Sequence, residues 1–250
     1  MSEERLPVSL DADHLEANGI VGFNRKDVRA RPFNLLRTQL MKRLAATGGK
    51  LVGVTSTAPG AGKSFTAVNL AVSLSHFAKF PVTLIDLDFR RGSIAGYLGL
   101  QVEQGVAEVL AGEARIEQIA IQAGVPNLIV LPAVEGDESG SALLVSDAFE
   151  TFVEQIRAEV GEGIALFDLP PVFADDDALI ATQKLDGYLL VADSGITPTG
   201  QIADAVERLL PSVCLGTVLN RHSGSLLDRY GYGYGYAYGY GYGYGNKDGK

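Results

Sequence analysis

Thr55-Ser56-Thr57-Ala58-Pro59-Gly60-Ala61-Gly62-Lys63-Ser64 is the stretch on which the reading of this chain turns. An apolar run, Leu51-Val52-Gly53-Val54, precedes it and reads as a buried strand. Phe65 to Leu74 follows, with apolar residues at helical spacing. A strand, a small-residue loop ending in Gly-Lys-Ser and a helix form the context of a P-loop. Small residues let backbone N–H groups turn inward around a phosphate, and the helix N-terminus adds its dipole. Pro59, Gly60, Ala61, Gly62 and Phe65 are therefore candidate nucleotide-contacting positions. Lys63 can place a point charge on the β- and γ-phosphates, and Ser64 Oγ can bind Mg²⁺. The strict spacing asks for Gly where this chain has Thr57.

Outward from the loop, strands alternate with helices. A helix is expected over 32–46, with Pro32 in its first turn and Phe33, Leu36, Leu40 and Leu44 on one face. Later strands are expected over 81–88, 127–131, 164–171, 188–192 and 213–220. Helices are expected over 143–158, 177–183 and 199–210, with short helical patterns in 104–122. The strands are continuous apolar runs, as in a parallel sheet covered on both faces. The fold class is therefore α/β, a doubly wound, mostly parallel sheet of the P-loop NTPase type.

Three parts are expected. Residues 1–30 are polar and weakly periodic, a mobile arm or docking segment. Residues 31–223 form the P-loop domain. Residues 224–250 form a flexible tail, because Tyr230, Tyr232, Tyr234, Tyr236, Tyr238, Tyr240, Tyr242 and Tyr244 alternate with Gly or Ala and offer no aliphatic core.

Composition narrows the function. The net charge of −9 argues against nucleic acid as the main partner. A single cysteine, Cys214, excludes a disulfide framework and fits a reducing compartment. His14, His76 and His222 are too scattered for a metal cluster. No apolar run reaches the length of a membrane-spanning helix, and the polar N-terminus is no secretory signal.

In a parallel sheet, ligands bind beyond the carboxyl ends of the strands. Asp86, Asp88 and Asp168 each stand at or just past such an end, beside the P-loop. That is the place for a Mg²⁺ shell and a base, and Mg²⁺ asks for few carboxylates. Arg90 and Arg91 follow closely and suit pairing with these acids or with nucleotide.

On these motifs the chain resembles the catalytic domain of the bacterial tyrosine autokinases of capsular and exopolysaccharide synthesis. Thr55 to Ser64 is similar to that family's deviant Walker A. Leu84-Ile85-Asp86-Leu87-Asp88-Phe89-Arg90-Arg91 is similar to its Walker A′, and Asp168-Leu169-Pro170-Pro171 to its Walker B. Asp177-Ala178, Asp186-Gly187, Gly216 to Asn220 and a tyrosine-cluster tail follow in family order, so the resemblance covers about residues 31–245. It implies ATP and Mg²⁺, with phosphoryl transfer in trans to the tail tyrosines Tyr230 to Tyr244. By that resemblance Lys63, Asp86, Asp88 and Asp168 are catalytic. Ser64, Asp86 and Asp168 are metal ligands, and Arg90 and Asn220 are nucleotide contacts, Asn220 near the adenine.

Two departures matter. The family's Glu-x-x-Arg-x-x-Arg oligomerisation helix reads Arg31, Asn34, Arg37 here, so only the last Arg is kept. Weak self-association is expected without help. The absence of membrane-spanning segments implies the split form, a cytoplasmic chain held at the inner membrane face by a separate membrane-spanning co-polymerase that activates it. The rivals are a partitioning or division-site ATPase of the ParA/MinD kind, whose signature Lys is Ala58 here, and a non-enzymatic protein with a sticky Gly-Tyr tail.

Overall fold

The computed structural model describes residues 7–77, 80–134, 136 and 142–222. Both ends of the expected plan, residues 1–6 and the tyrosine tail, lie outside the described residues.

Seven strands form one sheet: β1 (Leu51–Ser56), β2 (Val82–Asp86), β3 (Ile121–Gln122), β4 (Leu128–Leu131), β5 (Ile164–Asp168), β6 (Gly187–Asp193) and β7 (Cys214–Asn220). Their order is β3-β4-β2-β5-β1-β6-β7. Every pairing is parallel except that of β3 with β4. The helices are α1 (Ala12–Ala17), α2 (Arg31–Thr47), α3 (Lys63–Phe77), α4 (Ser93–Leu98), α5 (Val106–Leu110), α6 (Ile116–Ile119), α7 (Asp147–Val160), α8 (Asp177–Thr182) and α9 (Thr199–Arg208).

Alternation along each strand divides the core into two layers. Val52, Val54, Val82, Leu84, Val130 and Leu166 face α1 to α4. Leu51, Ile85, Leu131, Ala165 and Phe167 face α5 to α8. A smaller cluster, Tyr188, Leu190, Ala205 and Leu209, seats α9. Helix α3 is buried on nearly every side, from Thr66 to Ser75, because α2 and the N-terminal segment cover its outer face. Helix α7 is instead amphipathic and buries Phe149, Phe152, Val153, Ile156 and Val160.

The segment before α2 is docked. Val8 pairs with Ala123 at the sheet edge. Asp11 caps α1, accepting from the Asp13 and His14 N–H groups. The buried Asn69 of α3 accepts hydrogen bonds from the N–H groups of Val21 and Gly22 at 3.0 and 3.3 Å. Residues 8–30 thus make backbone and side-chain contacts with the sheet edge and with α3. Residues 104–122, expected to be helical, also contain the edge strand β3.

Strand register sets the site. Val54 of β1 lies opposite Asp168 of β5, and Asp168 lies opposite Asp86 of β2. Three adjacent strands thus end together, with the P-loop leaving β1 and an acid closing each neighbour.

Candidate functional site

The loop between β1 and α3 is shaped by glycines and braced from below. Gly60 and Gly62 have φ values of 81° and 90°, which glycine adopts without strain. At Gly62 a Cβ would also lie 2.0 Å from Asn220 Nδ2. That amide donates to the carbonyl of Ala61 at 2.8 Å, so the end of β7 supports the loop. Pro59 and Gly60 form its exposed tip, and Ala61 is buried. Thr57, at the position of the missing glycine, is fully buried and its Oγ1 has no hydrogen-bond partner.

Lys63 is buried among carboxylates. Its Nζ lies 2.7 Å from Asp88 Oδ2, 3.2 Å from Asp168 Oδ2 and 3.0 Å from Ser64 Oγ. Ser64 Oγ also accepts from Ser93 Oγ at 2.8 Å. Asp86 accepts from the N–H groups of Asp88 and Ile94, each at 3.0 Å. Asp86 and Asp168 are wholly buried.

Electrostatics in this cluster is unbalanced, since one ammonium faces three carboxylates. Burial, and then the charge of Asp168, push Asp86 up to about 8, with Lys63 and the two N–H donors opposing. Asp168 is also raised, chiefly by burial, with Lys63 and the Ser64 hydroxyl opposing. Burial pulls the Lys63 ammonium down, but Asp168, Asp88 and Asp86 outweigh it and hold the pKa above the ordinary lysine value. A buried surplus of negative charge beside a glycine-shaped cradle fits a nucleotide phosphate bound with a divalent cation. Among the described residues no set of three His, Cys, Asp or Glu side chains is arranged for a metal. Ser64, Asp86 and Asp168 supply only two acids, which suits an ion that keeps several waters.

Not every expected residue joins this cluster. Lys63, Ser64, Asp86, Asp88 and Asp168 converge, and Asn220 lies against the loop. The Arg90 side chain pairs with Asp175 and is 46% exposed. Phe65 packs its ring against Phe33 and Tyr97, with centroids 5.7 and 6.4 Å away. Tyr230 to Tyr244 lie outside the described residues. Ser93 went unread in the sequence. Its only signal is a hydroxyl at the start of a short helix seven residues after Asp86.

No family model matches the sequence. Curated relatives do. The chain is 31% identical to the tyrosine-protein kinase YwqD of Bacillus subtilis over 219 residues, 87% of this chain and 91% of that one. It is 31% identical to the tyrosine-protein kinase CpsD of Streptococcus agalactiae over 197 residues, 78% and 83% of the two chains. It spans only 23% of the length of the tyrosine-protein kinase ptk of Acinetobacter johnsonii, to which it is 31% identical over 169 residues. Among solved structures, the BceF tyrosine kinase domain superposes with a TM-score of 0.72 at 30% identity, covering 85% of this chain and 90% of that one. The septum site-determining protein MinD of Pyrococcus horikoshii shares the fold, with a TM-score of 0.60 at 22% identity over 71% of this chain and 72% of that one.

Proposed function

This chain belongs to the bacterial tyrosine-protein kinases, and we propose that it transfers the γ-phosphoryl group of ATP to tyrosines of its own Gly-Tyr repeat, from one copy to another. The observation that carries this reading is the convergence of Lys63, Ser64, Asp86, Asp88 and Asp168 at the ends of β1, β2 and β5.

Each residue has a chemical task. The P-loop backbone would hold the phosphates, and Lys63 would meet their charge with its ammonium. Ser64 and Asp168 would hold Mg²⁺, with Asp86 beside them. Bound Mg²⁺ would supply the neutralising charge that phosphoryl transfer needs. Asp86 would take the phenolic proton. Burial raises the Asp86 pKa toward that of a phenol, which is about 10, and the charges of Lys63 and of bound Mg²⁺ would keep its carboxylate ionised to accept the proton. Asp88 would orient Lys63, which it already holds at 2.7 Å. Asn220 would keep the loop in shape and, as the family pattern suggests, border the adenine.

Reach supports transfer to the tail. A Gly-rich chain of about 20 residues, the length from Gly224 to Tyr244, would span roughly 25 Å as a random coil and about 65 Å fully extended. A neighbouring site is within that range. Assembly fits the same reading. Arg37, the retained arginine of the family's oligomerisation pattern, bonds within its own subunit to Asn34 and Ser73. Among the described residues no helix is long and apolar enough to cross a membrane. By its likeness to the kinases of capsule and exopolysaccharide synthesis, we assign activation and assembly of this chain to a membrane-spanning co-polymerase of that export.

The test is anti-phosphotyrosine detection on purified protein with ATP and Mg²⁺, with and without an activator segment. Signal in the wild type and none in Lys63→Met is expected. ATP hydrolysis without phosphotyrosine would move the chain to the partitioning ATPases.

A further inference from the structure

A cavity at the end of α3 away from the P-loop has the character of an anion site. It measures about 250 Å³ and is lined by Gly22, Arg25, Ala30, Asn34, Arg37, His76 and Phe77. Two guanidinium groups and an imidazole border it, and no lining residue is acidic. This is unusual for a chain of net charge −9.

The cations are held ready rather than neutralised. Arg37 is fixed through Nη1, which lies 3.2 Å from Asn34 Oδ1 and 3.3 Å from both the carbonyl and the hydroxyl of Ser73. Its guanidinium stacks 4.5 Å over the Phe77 ring. All these partners are neutral. Burial without a counter-ion lowers the Arg37 pKa, the mark of a charge that would gain from an anion. Arg25 is exposed, and no ion pair holds it among the described residues. His76 Nε2 is buried without a hydrogen bond of ordinary geometry, and burial and then the charge of Arg25 lower its pKa, with the backbone of Gly22 and Phe23 opposing, so it borders the cavity as a neutral ring.

We propose that this cavity binds a phosphate monoester, and that its source is phosphotyrosine of the Gly-Tyr repeat. Planar guanidiniums bind phosphate through paired, charge-assisted hydrogen bonds. The anion chemistry stands without the kinase reading, whereas the choice of tail as source rests on it. The unmodified repeat from Tyr230 to Tyr244 carries no charge, and each phosphate adds about −1.5 to −2. Its tyrosines begin eight residues beyond His222, the last described residue. A coil of about 15 such residues spans roughly 21 Å on average, against a radius of gyration near 17 Å for a domain of this size. The phosphorylated tail can therefore leave the acidic catalytic cluster and settle on a basic face.

The experiment titrates full-length protein with three probes: a synthetic Gly-Tyr peptide bearing phosphotyrosine, the same peptide unphosphorylated, and inorganic phosphate. Because the peptides are synthetic, a failure of the kinase reading cannot be mistaken for a failure of the site. The phosphopeptide should bind and the plain peptide should not. Arg25→Gln and Arg37→Gln should each weaken phosphopeptide binding about tenfold or more. Arg37→Lys keeps the charge but loses the fork, and should fall between. Lys26→Gln, an exposed neighbour outside the cavity, should bind as wild type does. Equal binding of both peptides, indifference to both arginine changes, or displacement by Mg·ADP would overturn the site. Inorganic phosphate binding as tightly as the phosphopeptide would overturn the tail as its source.

Discussion

Lys63 Nζ lies 2.7 Å from Asp88 Oδ2 in a setting where both side chains are buried. The same ammonium reaches Asp168 at 3.2 Å, so among the described residues it is the one cation holding the acidic cluster together. Removing one partner of a buried pair costs about 3–5 kcal/mol. Lys63→Met should therefore lower the melting temperature as well as abolish phosphorylation. The loss should shrink toward pH 5, where the freed carboxylates take up protons. An unchanged melt at pH 8 would mean that the cluster does not depend on Lys63.

Asp86 makes a separate pH-dependent contribution. Its folded pKa is raised from the ordinary 3.8 to about 8, so the folded chain holds a proton that the unfolded chain releases. The stability that this proton gives is complete below about pH 4 and declines as pH rises to about 8. Asp86→Asn cannot titrate and should lack that decline, whatever its constant offset. Denaturant melts at pH 5 and pH 8 should show the variant gaining on the wild type at the higher pH. A constant difference between the two chains would refute the shift. The same variant should lose phosphorylation while staying folded.

Gly62 and Asn220 are coupled. Gly62→Ala combines a φ of 90° with a Cβ placed 2.0 Å from Asn220 Nδ2, and should weaken nucleotide binding strongly. Asn220→Ala removes the obstructing atom but not the backbone strain. The double variant should therefore bind better than the sum of the single losses predicts. Gly60→Ala meets no atom and should suffer from strain alone. Strict additivity of Gly62→Ala and Asn220→Ala in Mg·ADP affinity would break the proposed support.

Asn69 ties the N-terminal segment to α3. Asn69→Ala leaves the N–H groups of Val21 and Gly22 without their acceptor in a buried place. The cost is about 1–3 kcal/mol for each group left unpaired. Limited proteolysis should then cut before α2 faster than in wild type. Equal cutting of both proteins would show that other contacts hold the segment.

The acidic cluster around Lys63 was legible in sequence because its elements are buried parallel strands. Each reads as an apolar run, and each acid stands where the run stops, as Asp86 and Asp168 do. Residues whose partners lie far along the chain were not legible. Arg90 meets Asp175, 85 positions away, and nothing local predicts that pairing. Residues 8–30 show little periodicity because they dock partly through backbone N–H groups on Asn69 rather than through an apolar stripe alone. Strand β3 is two residues long and antiparallel, too short to leave a pattern. Ser93 enters the site through one hydroxyl, with no motif around it.

The most direct measurement mixes two copies. One carries Lys63→Met and an intact tail. The other has an intact site and phenylalanine at every tail tyrosine from Tyr230 to Tyr244. With ATP, Mg²⁺ and an activator segment, intact-mass spectrometry should find phosphate on the Lys63→Met copy, spread over several tyrosines because the Gly spacers make them near-equivalent. An unmodified tail in that mixture, beside a wild-type control that is phosphorylated, would contradict transfer between copies.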